Sequence, residues 1–199
     1  MKLDSVCVFA GSADGSRADY PIAAESLGRS LAERGIRVVN GGSGIGLMGR
    51  VADAALAAGG QAIGVIPESL MAEEIAHQGL SELRVVGSMH ERKAQMSELA
   101  DAFVALPGGL GTFEELLEAA TWSKLGLQAK PCGVLNVDGY FDPLVELIEG
   151  AVSNDFLGAE YEQIFVIADD PQELLGRLAD WQPPVGWQAP VRTNRRRAA

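Results

Sequence analysis

The sequence predicts an α/β protein in which a doubly wound, mostly parallel sheet carries helices on both faces. Short runs rich in β-branched residues alternate with helical segments along most of the 199 residues. Several of these runs are continuously hydrophobic rather than alternating, which is typical of strands covered on both faces. This alternation indicates parallel strands joined by helical crossovers, a Rossmann-like arrangement that binds ligands at the carboxyl ends of its strands.

The hydrophobic runs predict seven strands. They lie at Ser5–Phe9, Ile36–Asn40, Gln61–Ile66, Leu83–Val86, Ala102–Leu106, Cys132–Asn136 and Ile164–Ile167. Helix starts are recognised by Ser, Thr or Asp side chains, which accept hydrogen bonds from the first backbone N–H groups of a helix. Such signals occur three residues before an acid or directly before a proline, at Ser16, Ser88, Thr112, Asp142 and Asp170.

One nucleotide-binding domain is predicted over residues 1–181, followed by a flexible tail over 182–199. A chain of this size buries about 70% of its unfolded surface. From Gln182 onward the sequence has no periodicity, three prolines and a terminal arginine cluster. We expect this tail to be dispensable, so that truncation after Asp180 leaves activity within a few-fold.

Composition excludes several classes of protein. A net charge of −11 argues against a nucleic-acid binder, which needs a basic surface stripe. The sequence shows no secretory signal and no apolar run near the about 18 residues that span a membrane, so we expect a soluble, cytoplasmic protein. Cys7 and Cys132 lie in strand-like runs and are predicted to be buried, reduced thiols. With His77 and His90 as its histidines and no paired-cysteine motif, no metal site or cofactor is predicted.

A first glycine-rich segment, Gly41–Gly49, follows a predicted strand and opens a helix. Glycines there let backbone N–H groups approach a phosphate at the positive end of the helix. We expect substrate contacts at Gly42, Gly44 and Gly46. The segment also contains a GxGxxG pattern, and Glu68 lies near the position of a ribose-binding acid, so a nicotinamide-dependent oxidoreductase is an alternative.

A second glycine-rich segment, Pro107–Thr112, leads into a helix predicted to start at Phe113. A dinucleotide fingerprint accounts for one glycine loop and leaves this one unexplained. Two phosphate-type loops on one sheet favour a nucleotide held from both sides. Either loop could also be a tight turn that needs glycine only for its geometry.

The sequence around the second loop, PGGLGTFEE at residues 107–115, matches the signature Pro-Gly-Gly-x-Gly-Thr-x-x-Glu of the Lonely Guy (LOG) phosphoribohydrolases at every fixed position. Met89–Lys93 is similar to that family's Met-x-x-Arg-Lys segment. The first glycine segment, Val65–Pro67 and Thr121–Trp122 resemble further landmarks in the same order. The chain thus resembles the LOG family from about Ser5 to Val152.

This resemblance implies hydrolysis of a purine nucleoside 5′-monophosphate, such as adenosine monophosphate (AMP) or a cytokinin riboside 5′-monophosphate, to free base and ribose 5-phosphate. It also implies a homodimer with its site near the interface. The implied catalytic pair is Arg92 and Glu115. Implied substrate contacts are Glu74, Lys93, Gly109, Leu110, Gly111, Thr112 and Thr121.

Structural alternatives remain for these candidates. Glu115 follows Thr112 by three residues and could complete a helix capping box without taking part in chemistry. The Arg92–Lys93 pair could be a solvated helix face. His90 could act as a general acid, but a lone histidine beside a cap is more often incidental. Trp122 fits packing or a subunit contact better than base stacking.

Two other functions compete with hydrolysis. Molybdenum-cofactor carrier proteins resemble this chain in fold and glycine loops and hold a phosphorylated ligand without cleaving it, but the complete Arg92 and Glu115 pair favours an enzyme. LOG proteins have also been labelled lysine decarboxylases. That chemistry requires a Schiff-base lysine for pyridoxal phosphate. The lysines of this chain lie in no recognisable site of that kind: Lys2, Lys93, Lys124 and Lys130.

Overall fold

A computed structural model describes residues 2–71 and 76–184, with only the backbone described for 160–162. Its strands form one seven-stranded parallel sheet in the order β4-β3-β2-β1-β5-β6-β7. The strands are β1 Ser5–Phe9, β2 Arg37–Asn40, β3 Ala62–Pro67, β4 Glu82–Val86, β5 Ala102–Ala105, β6 Cys132–Leu135 and β7 Phe165–Ala168. Each bound lies within one residue of its prediction, and the doubly wound α/β class is confirmed.

Helices cover both faces of the sheet. They are α1 Asp19–Glu33, α2 Gly46–Ala57, α3 Met89–Leu99, α4 Leu110–Lys124, α5 Asp142–Ser153 and α6 Pro171–Asp180. One buried cluster joins the sheet to α1, α2 and α6, and a second joins its other face to α3 and α4. Both predicted thiols, Cys7 and Cys132, are free and buried, as expected. Among the described helices, none combines the length and apolar composition of a membrane span.

Two of the five predicted helix caps are confirmed and three are wrong. The side chains of Ser88 and Asp170 accept the expected hydrogen bonds from backbone N–H groups three residues on. Ser16 does not cap α1, which begins at Asp19; the Asp19 carboxylate lies 3.9 Å from Arg17 instead of turning back to Ser16.

Asp142 is already the first residue of α5 rather than its cap. Its carboxylate instead accepts a hydrogen bond from the Asn136 amide at 2.7 Å. The N-cap positions of α1 and α5 are occupied by Ala18 and Phe141, so neither predicted residue is placed to cap its helix.

The predicted start of α4 is also wrong, and this changes the interpretation of Glu115. The helix begins at Leu110 with Gly109 as its N-cap, so Thr112 lies inside the first turn rather than capping it. The Thr112 side chain packs against Gly108, where an added Cβ would lie 2.1 Å from the threonine hydroxyl. Thr112 and Glu115 therefore form no capping box at the helix start.

The sheet topology places a crevice beside its central strand. The chain runs outward from β1 to β4 on one side and resumes at β5 on the other side of β1. Backbone hydrogen bonds continue past the strands, from Leu106 N to Phe9 O and from Gly11 N to Pro107 O at 3.0 Å. This is the topological switch point at which such sheets bind ligands.

Trp181, the last residue of the predicted domain, belongs to the core. Its indole is buried and donates a hydrogen bond to the Gln163 carbonyl at 2.7 Å. Truncation after Asp180 would therefore remove part of the core, and the cut that tests the tail belongs after Pro184. Of the predicted tail 182–199, residues 185–199 lie outside the described residues.

We expect a chain ending at Asp180 to be about 3–5 kcal/mol less stable than one ending at Pro184, because it loses a buried tryptophan. Urea unfolding of both truncations measures this difference. The chain ending at Pro184 should keep kcat within a few-fold of the full chain. Equal stability of the two truncations would contradict the packing role of Trp181.

Candidate active site

An open cleft of about 710 Å³ lies outside the carboxyl ends of β1 and β5. Its walls come from Ala10–Ser12 after β1 and from Gly109–Thr112 at the start of α4. Side chains from three helices complete the cleft, including Met48, Met89, Arg92 and Glu115. The structure thus brings the implied catalytic pair and the second glycine loop to one place.

The beginning of α4 is suited to an anion. No described side chain caps this helix, and its first printed turn bond runs from Phe113 N to Gly109 O at 3.1 Å. The N–H groups of residues 110–112 precede that bond and have no partner within the helix. Those donors and the positive end of the helix dipole favour a phosphate.

Arg92 is a buried residue and not part of a solvated helix face. Only 3% of its surface is exposed, and Nη2 donates to the Gly41 carbonyl at 3.2 Å. A Cβ at Gly41 would lie 1.9 Å from Nη2, so a glycine is required there. The first glycine segment therefore supports the guanidinium that reaches the cleft.

Glu115 lies half-buried in the second turn of α4 and lines the same cleft as Arg92. Both charges act on Cys7 in the central strand. Burial raises the pKa of the Cys7 thiol well above its ordinary value, and the Glu115 carboxylate raises it further while Arg92 opposes it. Cys7 therefore stays protonated and is no candidate nucleophile.

Lys93 is directed to the neighbouring helix, and it does not line the cleft. Its Nζ lies 2.6 Å from a Glu114 oxygen and 2.9 Å from a Glu118 oxygen. Burial would lower the pKa of Lys93, but the bonds to the two carboxylates outweigh it and raise the pKa. The ion pairs join α3, which carries Arg92, to α4, which carries Glu115.

The glycines of the first glycine segment do not line the cleft, and one of them packs against the cleft wall that follows β1. Gly42, Gly44 and Gly46 are not among the described residues that line it. Gly46 has φ +63°, and a Cβ there would lie 2.2 Å from the carbonyl carbon of Ser12. This close backbone approach fixes the wall that follows β1, which is a different role from the predicted substrate contact.

Thr121, another predicted contact, does not line the cleft. Thr121 faces a separate groove between α4 and α5, and its hydroxyl donates to the Leu117 carbonyl at 2.7 Å. Glu74 lies outside the described residues. The sequence analysis missed Gly11 and Ser12, although any residue after the central strand of this topology is a candidate.

The comparisons with known proteins agree on one family. A family model described as possible lysine decarboxylase matches residues 48–178. A cytokinin riboside 5′-monophosphate phosphoribohydrolase of Oryza sativa subsp. japonica is 49% identical over 89% of this chain and 74% of its own length. One of Arabidopsis thaliana is 46% identical over 92% of this chain and 85% of its own length.

Solved structures show the same fold at lower identity. The molybdenum cofactor carrier protein of Chlamydomonas reinhardtii has a TM-score of 0.67 at 19% identity, covering 90% of this chain and 98% of that chain. The molybdenum cofactor binding protein of Rippkaea orientalis has a TM-score of 0.67 at 23% identity over the same shares. At these identities the likeness is one of fold.

Proposed function

Because this chain belongs to the Lonely Guy (LOG) family of phosphoribohydrolases, we propose that it cleaves cytokinin riboside 5′-monophosphates and AMP in the cytoplasm. It is a hydrolase of the N-glycosidic bond of nucleoside 5′-monophosphates, releasing the free base and ribose 5-phosphate. The observation that carries the proposal is the cleft that Arg92 and Glu115 share with the uncapped start of α4.

The start of α4 is the proposed site of the 5′-phosphate. Glu115 lies five residues beyond Leu110, which is about 7–8 Å along the helix axis at 1.5 Å per residue. A nucleotide whose phosphate meets the first turn can therefore lay its ribose along α4 towards the carboxylate. Ala10–Ser12 would face it from the other wall.

Glu115 is the proposed acid–base and electrostatic group. When the C1′–N bond breaks, its electron pair leaves with the base and positive charge develops on the ribose. A carboxylate can stabilise that charge or take a proton from the attacking water, as carboxylates do in glycosidases. Water thus supplies the hydroxyl on C1′ and the proton that the base carries away.

Arg92 is the proposed second catalytic residue. Its guanidinium keeps its charge and presents a planar fork of donors. Buried at the cleft wall and fixed by Gly41, it can hold the phosphate, a ribose hydroxyl or the departing base.

The lysine decarboxylase description fits the lysines of this chain poorly. None of them lines the cleft, and all lie within the described residues. Lys93 pairs with two glutamates, and Lys130 donates to the Ser97 carbonyl at 2.6 Å. The nicotinamide alternative is also disfavoured, because its candidate ribose-binding acid, Glu68, is exposed and does not line the cleft.

The 5′-phosphate should be required for efficient turnover. Charge-assisted hydrogen bonds contribute about 1.5–3 kcal/mol each, so losing two of them should lower kcat/KM by at least about 10²-fold. Comparing adenosine with AMP, with free adenine separated by chromatography, measures the ratio. Equal kcat/KM for the two substrates would rule out a phosphate site on α4.

A homodimer is the second part of the proposal. All residues of α5 are at least partly exposed although the helix is rich in apolar side chains. Leu125 and Leu127 after α4, Leu147 on α5 and Phe156 after it are each at least 64% exposed. We propose that these side chains form one apolar face, which would favour a protein interface; a second copy seated there would cover the groove that holds Thr121.

Replacing Leu147 with aspartate should convert the dimer to monomer, because it places a charge in this apolar face. Sedimentation velocity measures the mass of both forms. Ile22→Asp is the matched control, since Ile22 is 60% exposed but lies on α1, on the other face of the sheet. A wild-type monomer, or a Leu147→Asp dimer, would contradict this interface.

A further inference from the structure

A tyrosine outside the cleft holds the second glycine loop. The Tyr140 hydroxyl donates a hydrogen bond to the Gly108 carbonyl, 32 residues away in sequence. Tyr140 does not line the cleft, whereas the next residue after the accepting carbonyl, Gly109, does. The contact therefore joins a residue behind the site to the loop at the proposed phosphate position.

The ring of Tyr140 is fixed by its surroundings. It makes edge-to-face contacts with Phe141 at 5.0 Å and Tyr20 at 5.7 Å, and a near-parallel contact with Phe113 at 6.4 Å. Its backbone N–H donates to the Val137 carbonyl at 3.1 Å, closing a short turn. The hydroxyl therefore has a defined position before any ligand arrives.

The accepting carbonyl belongs to the Gly108–Gly109 peptide. Without this hydrogen bond the peptide could rotate easily, because both flanking residues are glycine. The peptide unit is planar and trans, so the Gly108 carbonyl and the Gly109 N–H point in opposite directions. With the carbonyl directed to Tyr140, which does not line the cleft, the N–H points away from Tyr140, and Gly109 itself lines the cleft. Among the described residues, none accepts a hydrogen bond from that N–H.

We propose that Tyr140 is a positioning residue that locks the Gly108–Gly109 peptide so that the Gly109 N–H is preset as a phosphate donor. The inference rests on the proposed function, since it assigns the 5′-phosphate to this loop. Without the hydroxyl the peptide has to be ordered by the ligand, which weakens binding. The chemical step at Glu115 is not affected.

Tyr140→Phe tests this inference, because it keeps the ring and removes only the hydroxyl. Titration calorimetry with ribose 5-phosphate should give a Kd about five- to ten-fold higher than wild type, the equivalent of one neutral hydrogen bond. KM for AMP should rise by a similar factor while kcat stays within two-fold. Wild type and Tyr140→Phe should both be titrated well below their melting temperatures, so that the two Kd values are measured on folded protein.

Tyr20→Phe is the matched control, since Tyr20 belongs to the same aromatic group, whereas the hydrogen bond to Gly108 comes from Tyr140. It should leave Kd and KM at wild-type values. An unchanged Kd in Tyr140→Phe, an equal loss in Tyr20→Phe, or a loss confined to kcat would overturn the inference. Binding without AMP hydrolysis by the wild type would reject the proposed function alone.

Discussion

Glu115→Gln is expected to lower kcat for AMP by about 10²–10⁴-fold, roughly 3–5 kcal/mol, while the protein folds and binds nucleotide normally. The neutral amide has nearly the shape of the carboxylate but can neither stabilise a ribosyl cation nor take a proton from water. Because α4 begins at Leu110, directly after its N-cap Gly109, the Glu115 side chain does not cap the helix, and its replacement should leave the helix start intact.

Thermal melting, nucleotide titration and adenine release on one preparation separate these effects. Glu33→Gln, an exposed carboxylate at the end of α1, is the matched control and should behave as wild type. If Glu115→Gln releases adenine at a near-native rate, Glu115 is not the catalytic carboxylate.

The second large effect is expected from Arg92→Lys, with kcat/KM for AMP lowered by about 10²-fold or more. The substitution keeps the positive charge but removes the planar fork that reaches both the Gly41 carbonyl and the cleft. Stability should fall by about 1–3 kcal/mol, because a buried carbonyl loses its donor.

Steady-state kinetics with urea unfolding distinguishes the loss of activity from the loss of stability. Arg29→Lys, at an exposed position on α1, should change neither quantity. Wild-type kcat/KM in Arg92→Lys would show that charge alone suffices and that the fork has no role in the reaction.

The strands were predictable from the sequence because a strand buried on both faces leaves a continuous apolar signal. Ser5–Phe9 has five buried residues in succession, and the predicted and observed bounds agree. The helix starts were less predictable, because several residues can compete for one cap. At α4 the glycine pair 108–109 lets the helix begin before Thr112, whose side chain fills the space beside Gly108.

The residues of the candidate site that belong to a sequence motif were predictable. Those whose position depends on contacts between residues far apart in the sequence were not. PGGLGTFEE led to the loop and to Glu115, and both lie at the cleft. Lys93 is predicted from the sequence as a substrate contact, yet its side chain pairs with Glu114, 21 residues away on another helix. The hydrogen bond from Tyr140 to Gly108 has no local signal either, since only the packing of sheet and helices brings these residues together.

The central claim is that water cleaves the bond between C1′ and the base. Incubating the purified protein with AMP in ¹⁸O-labelled water, followed by mass spectrometry of the products, tests it most directly. We predict equimolar adenine and ribose 5-phosphate, with one ¹⁸O on C1 of the sugar and neither product formed at a comparable rate by Glu115→Gln. AMP recovered intact, or adenine released without ¹⁸O in the sugar phosphate, would contradict the account.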